Sequence, residues 1–215
     1  MDRAVGPFAL DNGDQEVATM ANPTALGTRL STDSKPEVGT MSVWNIDPKH
    51  SMVEVAVRHM MFTTVKGRFT DIRGKITCAD ESDPSKSSVE AEIGAASIDT
   101  GEEQRDEHLK SADFLDVERY PVIRFVSTNV EPRGEDQFRI LGNLTIKDHT
   151  RVVALDTTFN GRGINPWGQE VAGFTAETSI NRKDFGLTWN VALETGGFLV
   201  GDKLDVLIEI QASKE

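Results

Sequence analysis

The chain has 215 residues, 38% of them hydrophobic, which suits one globular domain with a sizeable core and length to spare. Asp and Glu outnumber Lys and Arg by 35 to 23, and the formal net charge of -12 argues against nucleic-acid backbones and anionic lipid surfaces as partners. The single cysteine, Cys78, cannot close an intrachain disulfide, and no run of about 18 apolar residues offers a membrane-spanning helix.

Residues 1–40 carry Gly, Pro, Ser, Thr and Asp without periodicity, the composition of a disordered tail; an appended partner-binding arm is the alternative. The longest apolar piece near the start, Phe8 to Leu10, runs straight into Asp11, so no export signal is expected. A cytoplasmic location follows, consistent with one unpaired cysteine. The folded domain is expected over 41–215.

From Trp44 onward the apolar period becomes two. In Met52 to His59, the residues Val53, Val55, Val57 and His59 share one face, with Glu54 and Arg58 on the other, the pattern of a half-buried strand. Lys66 to Cys78 reads as a single strand, with Gly67 and Gly74 where a barrel corner can bend. A third strand runs from Ser88 to Ile98. After Pro121 the alternation returns through Ile123 and Phe125, through Phe138, Ile140, Leu144 and Ile146, and through Val153 to Phe159. The turn between the last two is placed at Asp148-His149, with Asp148 tolerating positive φ. Val171 to Ile180 and Leu204 to Ile210 complete eight strands. Eight one-sided antiparallel strands joined mostly by short turns favour an up-and-down barrel or a sandwich, and closure into a barrel removes the exposed edges.

One stretch breaks the alternation, a short helical insertion at about 101–117. Thr100 with Glu103 reads as a capping box, and Glu102, Glu103 and Asp106 place negative charge on the first turn. Ser111 reads as the cap of a second helical turn carrying Phe114 and Leu115, and Tyr120-Pro121 then forces extended chain.

The chemistry-bearing residues leave alternatives open. His50, His59, His108 and His149 show no HxH or HExxH spacing, so no metal site is expected. His59 shares the apolar face of its strand, as a buried imidazole with a satisfied hydrogen bond or as a polar anchor for a ligand head group. Arg105, Asp106 and His108 form either an ion-paired helix closing a barrel end or an acid/base set. There is no GxSxG motif, and Cys78 has no cation nearer in sequence than Lys75. Phe69, Phe125, Phe138, Phe159, Phe174, Phe185 and Trp189 fit a solid core or a lined cavity equally well.

Four segments, WNIDPKHSMVEVAVRHMM, RDEHLKSADFLDVERYPVIRF, LGNLTIKDHTR and INRKDFGLTWNVALETGGFLVGDKL, resemble the YceI-like family of polyisoprenoid-binding proteins, in family order and spacing over Ser42 to Ser213. The wording is similar to unsecreted members of actinobacterial type. Asp148 stands where the family commonly has Gly, and Val152 where Pro is frequent. The resemblance implies an all-β, lipocalin-like, eight-stranded antiparallel barrel, usually dimeric, that encloses a long isoprenoid chain and has no catalytic residues or cofactor.

The function expected is non-catalytic binding, transport or storage of an amphipathic isoprenoid such as a polyprenyl quinone. Val55, Val57, His59, Phe69, Leu109, Phe114, Phe125, Phe138, Leu144, Phe159, Phe174, Phe185 and Trp189 are the candidate ligand-binding residues. Arg105, Asp106, His108 and Arg182 are candidates for a polar cavity mouth or for structural support. The alternatives are an enzyme acting on such a lipid through His59, His108 and Asp106, and a packed barrel without ligand.

Overall fold

The computed structural model describes residues 40–194 and 196–215, so the expected tail lies outside the described residues. The strands are β1 (Ser42–Ile46), β2 (Met52–His59), β3 (Thr63–Phe69), β4 (Ile72–Cys78), β5 (Ser87–Gly94), β6 (Ile98–Asp99), β7 (Val122–Pro132), β8 (Gln137–Ile146), β9 (His149–Ile164), β10 (Glu170–Asn181) and β11 (Val200–Lys214). One helix, α1 (Glu103–Lys110), stands between β6 and β7.

Eight of these strands form a closed antiparallel circuit in the order β1-β4-β5-β7-β8-β9-β10-β11, with β11 returning to β1. At the seam Trp44 faces Lys214 and Ile46 faces Ala212. The eight-stranded barrel read from the sequence is therefore present. The other three strands continue it: β2, β3 and β6 extend β1, β4 and β5 beyond a break in each, and pair with one another and with β11.

Each break has a local cause. Between β1 and β2, Pro48 has no N–H to give a ladder, and the Asp47 carboxylate holds a turn by accepting from the Lys49 N–H at 2.9 Å and meeting His50 Nδ1 at 2.6 Å. Between β3 and β4, the Thr70 N–H donates to the Ser97 hydroxyl and Asp71 C=O accepts from the Gly94 N–H at 2.8 Å. Between β5 and β6 a single 3₁₀ turn spans Ala95–Ser97. Lys66 to Cys78 is thus two strands rather than one, and Ser88 to Ile98 is likewise interrupted.

The insertion also differs in detail. Glu102, not Thr100, caps α1, its carboxylate accepting from the N–H groups of Gln104 (3.1 Å) and Arg105 (2.6 Å). Thr100 instead donates both its N–H (2.9 Å) and its hydroxyl (2.5 Å) to Asp106 Oδ1. Ser111 ends α1, its hydroxyl donating to His108 C=O at 2.8 Å, and tight turns follow in place of a second helix. They still bury Phe114 and Leu115. In the β8–β9 hairpin Ile146 faces His149, so the loop is Lys147-Asp148, and the positive φ of 55° falls on Lys147 rather than Asp148.

The β2–β3 turn, α1 and residues 182–194 and 196–199 lie at one end of the barrel, the apical end, and residues 79–86 and the β9–β10 turn lie at the other, the basal end. The apical end is filled: Leu115, Phe185 and Leu187 are buried in one cluster with Ala95 and Ile98, and Leu109 packs against it. Toward the base a second, smaller buried cluster holds Trp44, Ala172 and Ala212.

An apolar lumen with a charged basal rim

Below the apical plug lies a cavity of about 480 Å³. That volume is within the usual range for a small-molecule pocket, roughly 300 to 1,000 Å³. The inward face of each strand supplies its wall: Val55 and Phe69 from the extension, Ile76 and Val89 from β4 and β5, Phe125, Phe138, Leu144, Phe159 and Phe174 from the long strands, and Ile208 from β11. Phe159 and Phe174 meet across β9 and β10 with centroids 5.5 Å apart. Gly142 lets the Phe125 ring lie against the wall, since a Cβ at that position would overlap the ring. The polar side chains of the upper wall are few, and Thr157 settles its own hydroxyl on Leu155 C=O at 3.3 Å.

At the base the wall changes character, with Asp80, Glu81, Ser87 and Arg162 joining the lining. Lys214 donates to Glu81 at 2.7 Å and lies 3.4 Å from Glu170, while Arg162 lies 3.6 Å from Glu170 and 3.8 Å from Glu81. The four charges balance, two of each sign, and the Lys214 ammonium also stands 5.4 Å from the centre of the Trp44 ring. The Lys214 hydrogen bond, then one from Ser42, holds the Glu81 carboxyl below its usual range. The bond to Glu81 raises Lys214 in turn. In the same loop the Ser82 hydroxyl, then Lys86, holds the Asp80 carboxyl down at about 2.

The candidate residues divide by height. Val55, Phe69, Phe125, Phe138, Leu144, Phe159 and Phe174 stand on the lumen wall. Val57, His59, Leu109, Phe114, Phe185 and Trp189 stand outside that lining, and Leu109 and Phe185 belong to the apical plug. His59 has the inward parity of Val53 and Val55 but ends β2 above the cavity, opposite Val200 and Thr63. His108 contacts Asp113 at 2.9 Å and packs edge-on against Phe114 and Trp189, with centroids 5.1 and 4.7 Å away. Arg105 donates to the hydroxyl and carbonyl of Thr100, so Arg105 and Asp106 both serve Thr100 rather than pairing with each other. His59, His108 and Asp106 therefore do not converge on the lumen as an acid/base set.

Arg182 is 2% exposed and donates to the carbonyls of Gly201 (2.8 Å), Leu187 (2.5 Å) and Trp189 (2.9 Å), with Asp202 at 3.4 Å. Burial lowers its pKa and the Asp202 carboxylate works against that shift. The hydrogen bonds of Arg182 tie Leu187, Trp189 and Gly201 together at the apical end.

Glu81, Arg162, Glu170 and Lys214 were not singled out in the sequence, although two of them continue an inward face. Glu170 precedes Ala172 by two, and Lys214 follows Ala212 by two. Arg162 is harder to place, because the register between β9 and β10 shifts at Gly173 and Phe174 and turns its side chain inward. A larger concavity of about 840 Å³ lies on the outer face of the sheet, but charged residues such as Glu54, Lys66, Arg139 and Asp205 line it, which suits water better than an apolar chain.

The YceI-like domain model matches residues 44–212. A UPF0312 protein of Pseudomonas putida strain W619 is 34% identical over 191 residues, covering 89% of this chain and 95% of its own. This chain belongs to the YceI-like family. Protein YceI of Salmonella newport strain SL254 is 40% identical over 140 residues, covering 65% of this chain and 72% of its own. Both relatives are proteobacterial. Among solved structures, the Campylobacter jejuni YceI protein is 27% identical with a TM-score of 0.62, covering 74% of this chain and 90% of its own. The fold is shared with Burkholderia cenocepacia BcnA (TM-score 0.66, 22% identical, 77% and 98% covered). It is shared too with a polyisoprenoid binding domain from Saccharophagus degradans (TM-score 0.62, 12% identical, 80% and 98% covered).

Proposed function

We propose that this YceI-like protein binds an amphipathic isoprenoid, such as a polyprenyl quinone, and carries or stores it without transforming it. The observation that carries the reading is the apolar lumen of about 480 Å³, ended on one side by a packed plug and on the other by a balanced ring of charges. Burial of a methylene stabilises by about 0.8 kcal/mol, so each five-carbon unit contributes about 4 kcal/mol before the cost of ordering the chain. The tail needs no polar contact, and the head group lies at the basal rim among Arg162, Glu81 and Lys214. The name of the Saccharophagus degradans domain supports the ligand class. The homodimer that the resemblance implies is part of the same proposal, and sedimentation equilibrium of the purified chain tests it.

Binding is tested by displacement of a fluorescent fatty acid by polyprenyl quinones. Saturable displacement at micromolar concentrations is expected, and Ala176→Phe, which places a ring in the lumen wall, abolishes it while the barrel still folds. A wild-type protein that binds neither quinone nor fatty acid contradicts the proposal.

A further inference from the structure

Among the described residues the barrel carries exposed apolar side chains at both ends, and one set stands beside the lumen rim. In the β9–β10 turn Ile164 is 76% exposed and Trp167 is 84% exposed. They follow Arg162 and precede Glu170, two members of the rim network, by a few residues. Met41, exposed as well, leads into β1 at the same end. The turn is rigid on its own account. The Asn165 side-chain oxygen accepts from the N–H groups of Trp167 (3.1 Å) and Gln169 (3.0 Å), and Asn165 N–H donates to Gln169 C=O at 2.9 Å. Trp167 is therefore presented to solvent from a fixed backbone, with little further loop ordering required when it binds something.

We propose that this basal tip docks the barrel, mouth first, on the interfacial layer of an electrically neutral, zwitterionic bilayer, so that the lipid passes between membrane and lumen. The inference rests on the lipid-carrier reading above. Tryptophan's amphipathic ring favours the headgroup level of a bilayer, and an aliphatic neighbour adds apolar area to enter it. Charge selects the kind of surface. Arg162 and Lys214 are held by Glu81 and Glu170, Lys86 is held by Asp80 and Asp83, and the chain as a whole carries -12. Such a rim gives anionic headgroups no net attraction, while a zwitterionic interface presents no net charge to repel an acidic chain. Continuity decides between the two ends: the basal tip borders residues that line the cavity, whereas the apical set of Met60, Met61, Phe62, Val191 and Phe198, of which Met61 and Phe62 are the most exposed pair, stands at the plugged end.

The test uses the full chain and vesicles of phosphatidylcholine, with the apical pair as internal control. Brominated phosphatidylcholine quenches tryptophan emission in the wild type, and the quenching disappears in Trp167→Phe although Trp44 and Trp189 remain. Ile164→Ser with Trp167→Ser lowers vesicle co-sedimentation and slows transfer of a polyprenyl quinone between vesicles, each about tenfold, while leaving affinity for the free quinone unchanged. Met61→Ser with Phe62→Ser changes none of these. The proposal is overturned if brominated lipid fails to quench the wild type, if quenching survives Trp167→Phe, or if the apical pair rather than the basal pair carries vesicle binding. Vesicle binding that depends on phosphatidylglycerol overturns it too. Failure of the carrier reading shows separately, as absence of quinone affinity in the wild type, because quenching and co-sedimentation need no cargo.

Discussion

Phe125 lies flat on the lumen wall because Gly142, on the neighbouring strand, leaves the space its ring occupies. Gly142→Val is expected to swing that ring into the cavity, destabilising the barrel by about 1 to 3 kcal/mol and weakening lipid binding about tenfold; a melting curve and a displacement titration read the two effects. Arg182→Leu leaves the carbonyls of Leu187, Trp189 and Gly201 without their donor, so a loss of about 3 kcal/mol is expected in chemical denaturation, with lipid affinity preserved in the protein that remains folded. His59→Gln is expected to leave affinity unchanged, since the ring stands above the lumen. Period-two parity reached as far as the inward direction of His59, Phe125 and Phe138. It carries no information about height along the barrel axis, and that coordinate decides whether an inward side chain plugs the apex or lines the cavity.

The strands themselves record where the barrel bends. Inward residues are even-numbered in β1 (Trp44, Ile46), odd in β2 and β3 (Val53, Val55, Phe69), and even again in β4 (Ile72, Ile76). Each change of parity coincides with a break, so the split of Lys66 to Cys78 was legible as the step from Phe69 to Ile72. The cap of α1 was less so: Thr100 and Glu102 both have side-chain oxygens able to cap, and they are separated by the bonds that Thr100 gives to Asp106 inside the helix. At the base, residues 79–86 are held by Asp80 and Glu81, whose carboxyls are both stabilised in ionised form. A depressed carboxyl contributes stability that is complete above its ordinary pKa and is lost as pH falls through the folded value. For Asp80 that interval runs from the ordinary 3.8 down to about 2. Asp80→Asn should therefore lower the melting temperature at neutral pH, and the difference from wild type should shrink as pH drops through that interval. A difference that persists at the acid end would show that Asp80 acts through something other than its charge.

For the molecule as a whole, eight strands close a circuit that leaves an apolar volume with one packed and one charged end. On the proposed reading, this asymmetry suits a ligand with a greasy tail and a polar head. The circuit was legible from the count of one-sided strands and from the YceI-like segments. Whether its inner face was solid or hollow was not, because a packed core and a lined cavity use the same Phe, Ile and Val. Deletion of residues 1–40 is expected to leave both melting temperature and lipid affinity unchanged, and a fall of several degrees would place the N-terminal segment in the folded unit. Whether the lumen carries an unaltered lipid is read by native mass spectrometry of freshly purified protein, followed by organic extraction and mass analysis of the extract before and after prolonged incubation. A mass excess that extraction removes is expected, with a polyisoprenoid lipid recovered chemically unaltered. A lipid-free mass together with no uptake of added polyprenyl quinone, or a lipid recovered in changed form from the wild type, would contradict it.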